Sequence, residues 1–77
     1  MEMIYTNETL YVNLDNNTDS FEVDKIREKM FNIIDEYEVE NVVLNTKDLF
    51  NKNKKIIGTL RSDYYKHYKG NLTINNK

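Results

Sequence analysis

The feature that most constrains this chain is the run Val42-Val43-Leu44-Asn45-Thr46-Lys47-Asp48-Leu49, followed by a helix-like segment from Asn53 to Gly70 and a short alternating run, Leu72-Thr73-Ile74. The continuous apolar run within the strand Val42 to Asn45 suits a strand covered on both faces. Strand, helix and strand in that order make an α/β unit. In such units function sits in the loop at the carboxyl end of the strand, beside the helix N-terminus. Here that loop is Phe50-Asn51-Lys52-Asn53-Lys54-Lys55, which contains no Ser, Cys, His or carboxylate. The usual nucleophiles and acid–base groups are therefore missing from the place where they would act.

The segments before this unit read as two strands and a helix. Met3 to Tyr5 and Thr9 to Leu14 alternate apolar and polar residues, and Asn7-Glu8 between them has turn chemistry, which predicts a hairpin. In its second strand Leu10, Val12 and Leu14 share the core side, while Tyr11 and Asn13 face the other way. The small polar residues of Asp15-Asn16-Asn17-Thr18-Asp19-Ser20 form a loop that closes on a helix start. Asp19 with Glu22 fits a capping-box-like pattern, and Ser20 is the alternative cap.

The first helix is expected from about Ser20 to Tyr37, with Val23, Ile26, Met30, Ile33, Ile34 and Tyr37 as its apolar stripe and Phe31 on the flank. In the second helix Asn53 is the expected cap and Gly70 the left-handed C′ residue. Ile57, Leu60, Tyr64 and Tyr68 form its stripe, with Ile56 beside it. The hydroxyls of Tyr64 and Tyr68 are expected to reach water, as buried tyrosines usually keep a polar tip in contact with a partner.

The order is thus β-β-α-β-α-β in a single domain spanning residues 1–77. Right-handed crossovers would set the last three strands side by side and parallel, in a mixed four-stranded sheet with both helices on one face. The other face is then polar or occupied by a partner, and Tyr5, Tyr11 and Asn13 are candidates for it.

Composition excludes several classes. With 77 residues, the chain buries roughly 60% of its unfolded surface, a thin margin. There is no cysteine, so no disulfide framework or thiolate metal site, and one histidine, His67, makes no zinc site alone. No metal or other cofactor is expected. The formal net charge of -2 offers no global basic field for nucleic acid. No stretch approaches a membrane span, and the N-terminal residues lack a signal-peptide pattern, so a cytoplasmic location is the expectation. No Walker loop, GxGxxG or metal motif is present, and most carboxylates lie on the outward face of the first helix. An enzyme is not expected, and no catalytic residue is proposed.

Leu10-Tyr11-Val12-Asn13-Leu14, the Asp19 that opens the first helix, and Val42-Val43-Leu44-Asn45-Thr46-Lys47-Asp48-Leu49 together resemble a STAS domain, and more narrowly the bacterial anti-sigma factor antagonists. The resemblance runs from about Met3 to about Tyr68. Asp19 falls on the family's aspartate before the first helix, Asn45, Asp48 and Leu49 on the strand and its exit. Gly58 and Leu60 fall on the second glycine and a later core position, and Tyr64 on a commonly aromatic site. The loop departs from the pattern. Asn53 stands where the family has aspartate, Lys54 and Lys55 where it has the serine pair with the phosphoacceptor, and Ile56 where it has the first glycine. Lysine cannot accept a phosphoryl group as serine does, so the resemblance implies a member without that switch. Family members continue beyond the fourth strand, so the implied fold is a truncated STAS-like one with an unpaired edge.

The resemblance implies a non-catalytic, regulatory protein-binding module whose partner, an anti-sigma factor or related regulator, meets Asp19, Ser20, Asn53, Lys54, Lys55, Gly58 and Arg61. The bland readings stand beside it: Asp19 as a cap, the lysines as a solvated loop. The alternative function is a small self-associating structural domain that completes a larger assembly, with a homodimer burying the last strand as its mark.

Overall fold

A computed structural model of the chain describes residues 2–15, 18, 20–46 and 52–76. Asp19 and the loop segment 47–51 lie outside the described residues, as do the side chains of Ser20, Lys52 and Asn53. Strands β1 (Glu2–Thr6) and β2 (Thr9–Leu14) are followed by a 3-10 turn (Ser20–Glu22), helix α1 (Val23–Tyr37), strand β3 (Asn41–Thr46), helix α2 (Lys52–His67) and strand β4 (Asn71–Asn76). The sheet order is β1-β2-β3-β4. β1 runs antiparallel to β2, and β2, β3 and β4 are parallel neighbours. This is the expected mixed α/β architecture.

Each element follows from local chemistry. The turn between β1 and β2 holds two consecutive left-handed residues, Asn7 (φ 50°) and Glu8 (φ 61°), the geometry whose twist matches a two-residue hairpin. The carbonyl of Glu8 accepts hydrogen bonds from the N–H groups of Glu40 and Asn41, both at 3.3 Å, which seats the hairpin tip on the start of β3. Asn71 N–H donates to the Glu40 carbonyl (3.0 Å), adding the start of β4 to the same chain of backbone bonds. α1 ends at Glu38, left-handed at φ 52°, with the Val39 N–H donating to the Ile34 carbonyl (3.2 Å).

Both helices place their apolar stripes over one side of the sheet. Ile26, Met30 and Ile34 of α1 and Ile56, Ile57, Leu60 and Tyr64 of α2 share one core with Leu10, Val12, Leu14, Val42, Leu44 and Leu72. Removing such side chains from water is the main stabilising term, at about 1.5–3 kcal/mol for each large apolar residue. β3 is covered on one face only: Val43 and Asn45 look to the open side, so its continuous apolar run does not signal a doubly covered strand.

Several expectations are corrected. Tyr5 pairs with Leu10 across the hairpin and therefore lies on the helix side, where its ring stacks on Tyr37 at 4.9 Å. Tyr37 itself is half exposed rather than core. α1 proper begins at Val23, and Glu22, at the N-cap, makes no side-chain capping bond. α2 begins at Lys52, which puts Asn53 inside the first turn instead of at the cap. It ends at His67, and Gly70 is not left-handed.

The reason for Gly70 is space. A Cβ there would sit 2.3 Å from the Tyr64 hydroxyl and 2.5 Å from the Glu40 carbonyl oxygen. That hydroxyl, on a fully buried ring, has no hydrogen-bond partner among the described residues, contrary to the expectation that it reaches water. The Tyr68 hydroxyl instead donates to Asp35 at 2.7 Å.

Candidate functional site

The carboxyl ends of the parallel strands, the 3-10 turn and the first turn of α2 lie at one end of the sheet. The loop entering this region from β2 is organised by Thr18, a buried polar residue. Its hydroxyl donates to Asp15 Oδ1 (3.0 Å) and accepts from the Asp15 N–H (3.2 Å), while its own N–H donates to the Asp15 carbonyl (3.2 Å). The 3-10 turn that follows packs against α2. Phe21 on that turn leaves 90% of its surface exposed, an unusual setting for phenylalanine.

Along the outward side of α2 runs an open groove of about 610 Å³ lined by Lys54, Lys55, Gly58, Thr59, Ser62 and Asp63. These positions recur at one-turn spacing and so share one side of the helix. Gly58 forms an open spot in it: a Cβ there would meet nothing within 4 Å. Of the residues expected to bind a partner, Lys54, Lys55 and Gly58 line the groove, and Arg61 is exposed on the same helix without lining it. Ser20 and Asn53 have backbones at this end, and Asp19 lies outside the described residues.

Thr59, Ser62 and Asp63 were not singled out by the sequence. Their helical spacing from Lys55 and Gly58 was the available signal. Phe21 was not singled out either.

Electrostatics gives the groove a sign. Asp63, its acidic member, receives a hydrogen bond from Arg27 of α1 at 2.7 Å, and Arg27 also bridges to Asp24 at 2.6 Å. The Asp63 bond, opposed by burial and aided by Asp24, raises the Arg27 pKa, and the guanidinium, charged at any ordinary pH, fastens the two helices. With Asp63 engaged, the lysines dominate. They stand in the first turn of α2, which carries no acidic residue, where the helix dipole is positive. Cations at that end oppose the dipole, each by about 0.3–1 kcal/mol.

Chemically the groove can hold an anionic or polar surface by charge and shape. Among the described residues no group of three or more His, Cys, Asp or Glu side chains is placed to hold a metal. No helix among them is long and apolar enough to cross a membrane. No family model, curated protein or solved structure matches the chain.

Proposed function

We propose that this protein is a non-catalytic, regulatory protein-binding module, similar to an anti-sigma factor antagonist without the phosphorylatable serine. Its partner would be an anti-sigma factor or a related regulator. The supporting observation is the placement of Lys54 and Lys55 in the first turn of α2, on the rim of an open groove, against the helix dipole and with no acidic residue in that turn. Residues that weaken the fold while facing outward are commonly kept for binding. The partner surface is acidic. It meets Lys54, Lys55, Gly58 and Arg61, with Asp19, Ser20 and Asn53 at the margin. The STAS resemblance supports the same surface by analogy of fold, and fold alone does not fix function.

The test uses the opposite signs expected for stability and binding. Lys54→Glu with Lys55→Glu favours the dipole and should raise the thermal midpoint slightly while abolishing capture of the partner that the unaltered chain retrieves from its own cell extract. An anti-sigma factor encoded in the same genome is the first purified candidate for titration. No specific partner, or a partner held equally well by the doubly reversed chain, would reject the reading.

A further inference from the structure

The two edges of the sheet are treated differently. At β4 the Leu72 N–H donates to the Tyr65 hydroxyl (3.2 Å), which in turn donates to the Leu72 carbonyl (3.4 Å). One phenol thus occupies both backbone groups that Leu72 turns away from β3. β1 has no such guard. Thr6 and Thr9 close a two-residue turn, so Glu2, Ile4 and Thr6 exchange bonds with β2 and the backbone groups of Met3 and Tyr5 point outward. No bond from another element reaches those groups among the described residues. The strand has neither the lysine, the proline nor the bulge by which edges are usually blunted.

The same edge collects exposed apolar surface. Ile4 is 45% exposed and Tyr5 38%, and Tyr5 stacks on the half-exposed Tyr37. We propose that β1 pairs antiparallel with β1 of a second copy of this chain, joining two four-stranded sheets into one of eight strands.

Self-complementarity argues for a second copy over a different partner. With the two-fold axis at Ile4, Met3 lies opposite Tyr5 of the other copy, Ile4 opposite Ile4 and Glu2 opposite Thr6. Each apolar residue then meets an apolar one, and the strand's one charge meets a hydroxyl instead of its own like. Met3 and Tyr5 exchange the four backbone bonds. A five-residue edge buries less than a standard interface, so the association is weak and concentration-dependent. This inference rests on the edge and is independent of the groove on α2.

Sedimentation equilibrium over about 10 μM to 1 mM, the span where small interfaces associate, should show the mass rising from one chain towards two. Ile4→Lys sets two cations face to face and should weaken dimerisation by about tenfold or more. Amide exchange adds a readout specific to the edge: the Met3 and Tyr5 N–H groups should slow as concentration rises, which face-to-face packing of the sheets would not produce. The chain has no cysteine, so Ile4→Cys should oxidise to a disulfide dimer, since opposed residues of a non-hydrogen-bonded pair lie about 4.5 Å apart. Thr73→Cys on β4 should not. If Ile4→Lys fails to fold, exchange and the two cysteine variants decide. A monomer at every concentration, unchanged Met3 and Tyr5 exchange, or cross-linking through Thr73→Cys as fast as through Ile4→Cys would overturn the proposal.

Discussion

The two faces of this sheet are built from the same strands, one residue out of step, and they hold together by different means. On the covered face Leu10, Val12, Leu14, Val42, Leu44 and Leu72 are buried under the helices. On the open face, rows run across the strands. Glu2, Asn13, Asn45 and Asn75 form one, and Ile4, Tyr11, Val43 and Thr73 the next. In the first row Asn45 donates to Asn13 Oδ1 (2.7 Å) and Asn13 to Glu2 Oε1 (3.2 Å). Area removed from water dominates the covered face. On the open face a hydrogen bond adds only about 0.5–1.5 kcal/mol, because it replaces bonds that the amides make with water in the unfolded chain. Asn45 Oδ1 is shut off from solvent without a hydrogen-bond partner among the described residues. The contrast teaches that alternation alone assigns the energetic weight of a position here, even within the apolar run of β3.

The largest effect that can break this contrast is truncation of neighbours in β3. Leu44→Ala should cost about 3 kcal/mol in denaturant unfolding, and Val43→Ala, one residue away on the open face, less than about 1 kcal/mol. Equal costs would show that something also seals the open face. Next in size is the tight end of the covered face. Gly70→Ala should cost about 1–3 kcal/mol, because the added methyl overlaps the Tyr64 hydroxyl and the Glu40 carbonyl. Tyr64→Phe, by deleting a buried unpaired hydroxyl, should raise stability by about 1 kcal/mol and soften the Gly70→Ala penalty. A destabilised Tyr64→Phe would show that the hydroxyl is satisfied.

The smallest effect is alkaline. Burial raises the Tyr64 pKa, with a small push from Tyr65; burial first and the Asp35 hydrogen bond second raise that of Tyr68. Both phenols hold their protons longer in the folded chain than at the ordinary value of 10.0. Their stabilisation is therefore complete below that pH and declines above it. Unfolding midpoints measured from about pH 8 to about pH 11 should fall, and less steeply in Tyr68→Phe.

Much of the fold was legible because its elements are locally consistent. The Asn7-Glu8 turn, the alternation in β2 and the stripes Ile26-Met30-Ile34 and Ile57-Leu60-Tyr64 each carry one periodicity. The site was legible in part: Lys54, Lys55 and Gly58 do line one groove. Asp63 was hidden because its partner, Arg27, lies 36 residues away on another helix. Tyr5 was misplaced because an alternating strand does not say which phase faces inward until its neighbour's register is known. Gly70 looked like a helix cap because glycine's two uses, left-handed backbone and absence of a Cβ, are written with the same letter.

The order of elements and the side of each helix that turns inward were determined by periodicity and turn chemistry, which act within a few residues. The parallel set of three strands followed from that order through the handedness of the helical crossovers. The clash that excludes a Cβ at Gly70, the tyrosine that caps Leu72 on the β4 edge and the exposed edge at β1 were decided only by tertiary structure. Each depends on the distance between atoms far apart in the chain, and no local pattern carries that distance.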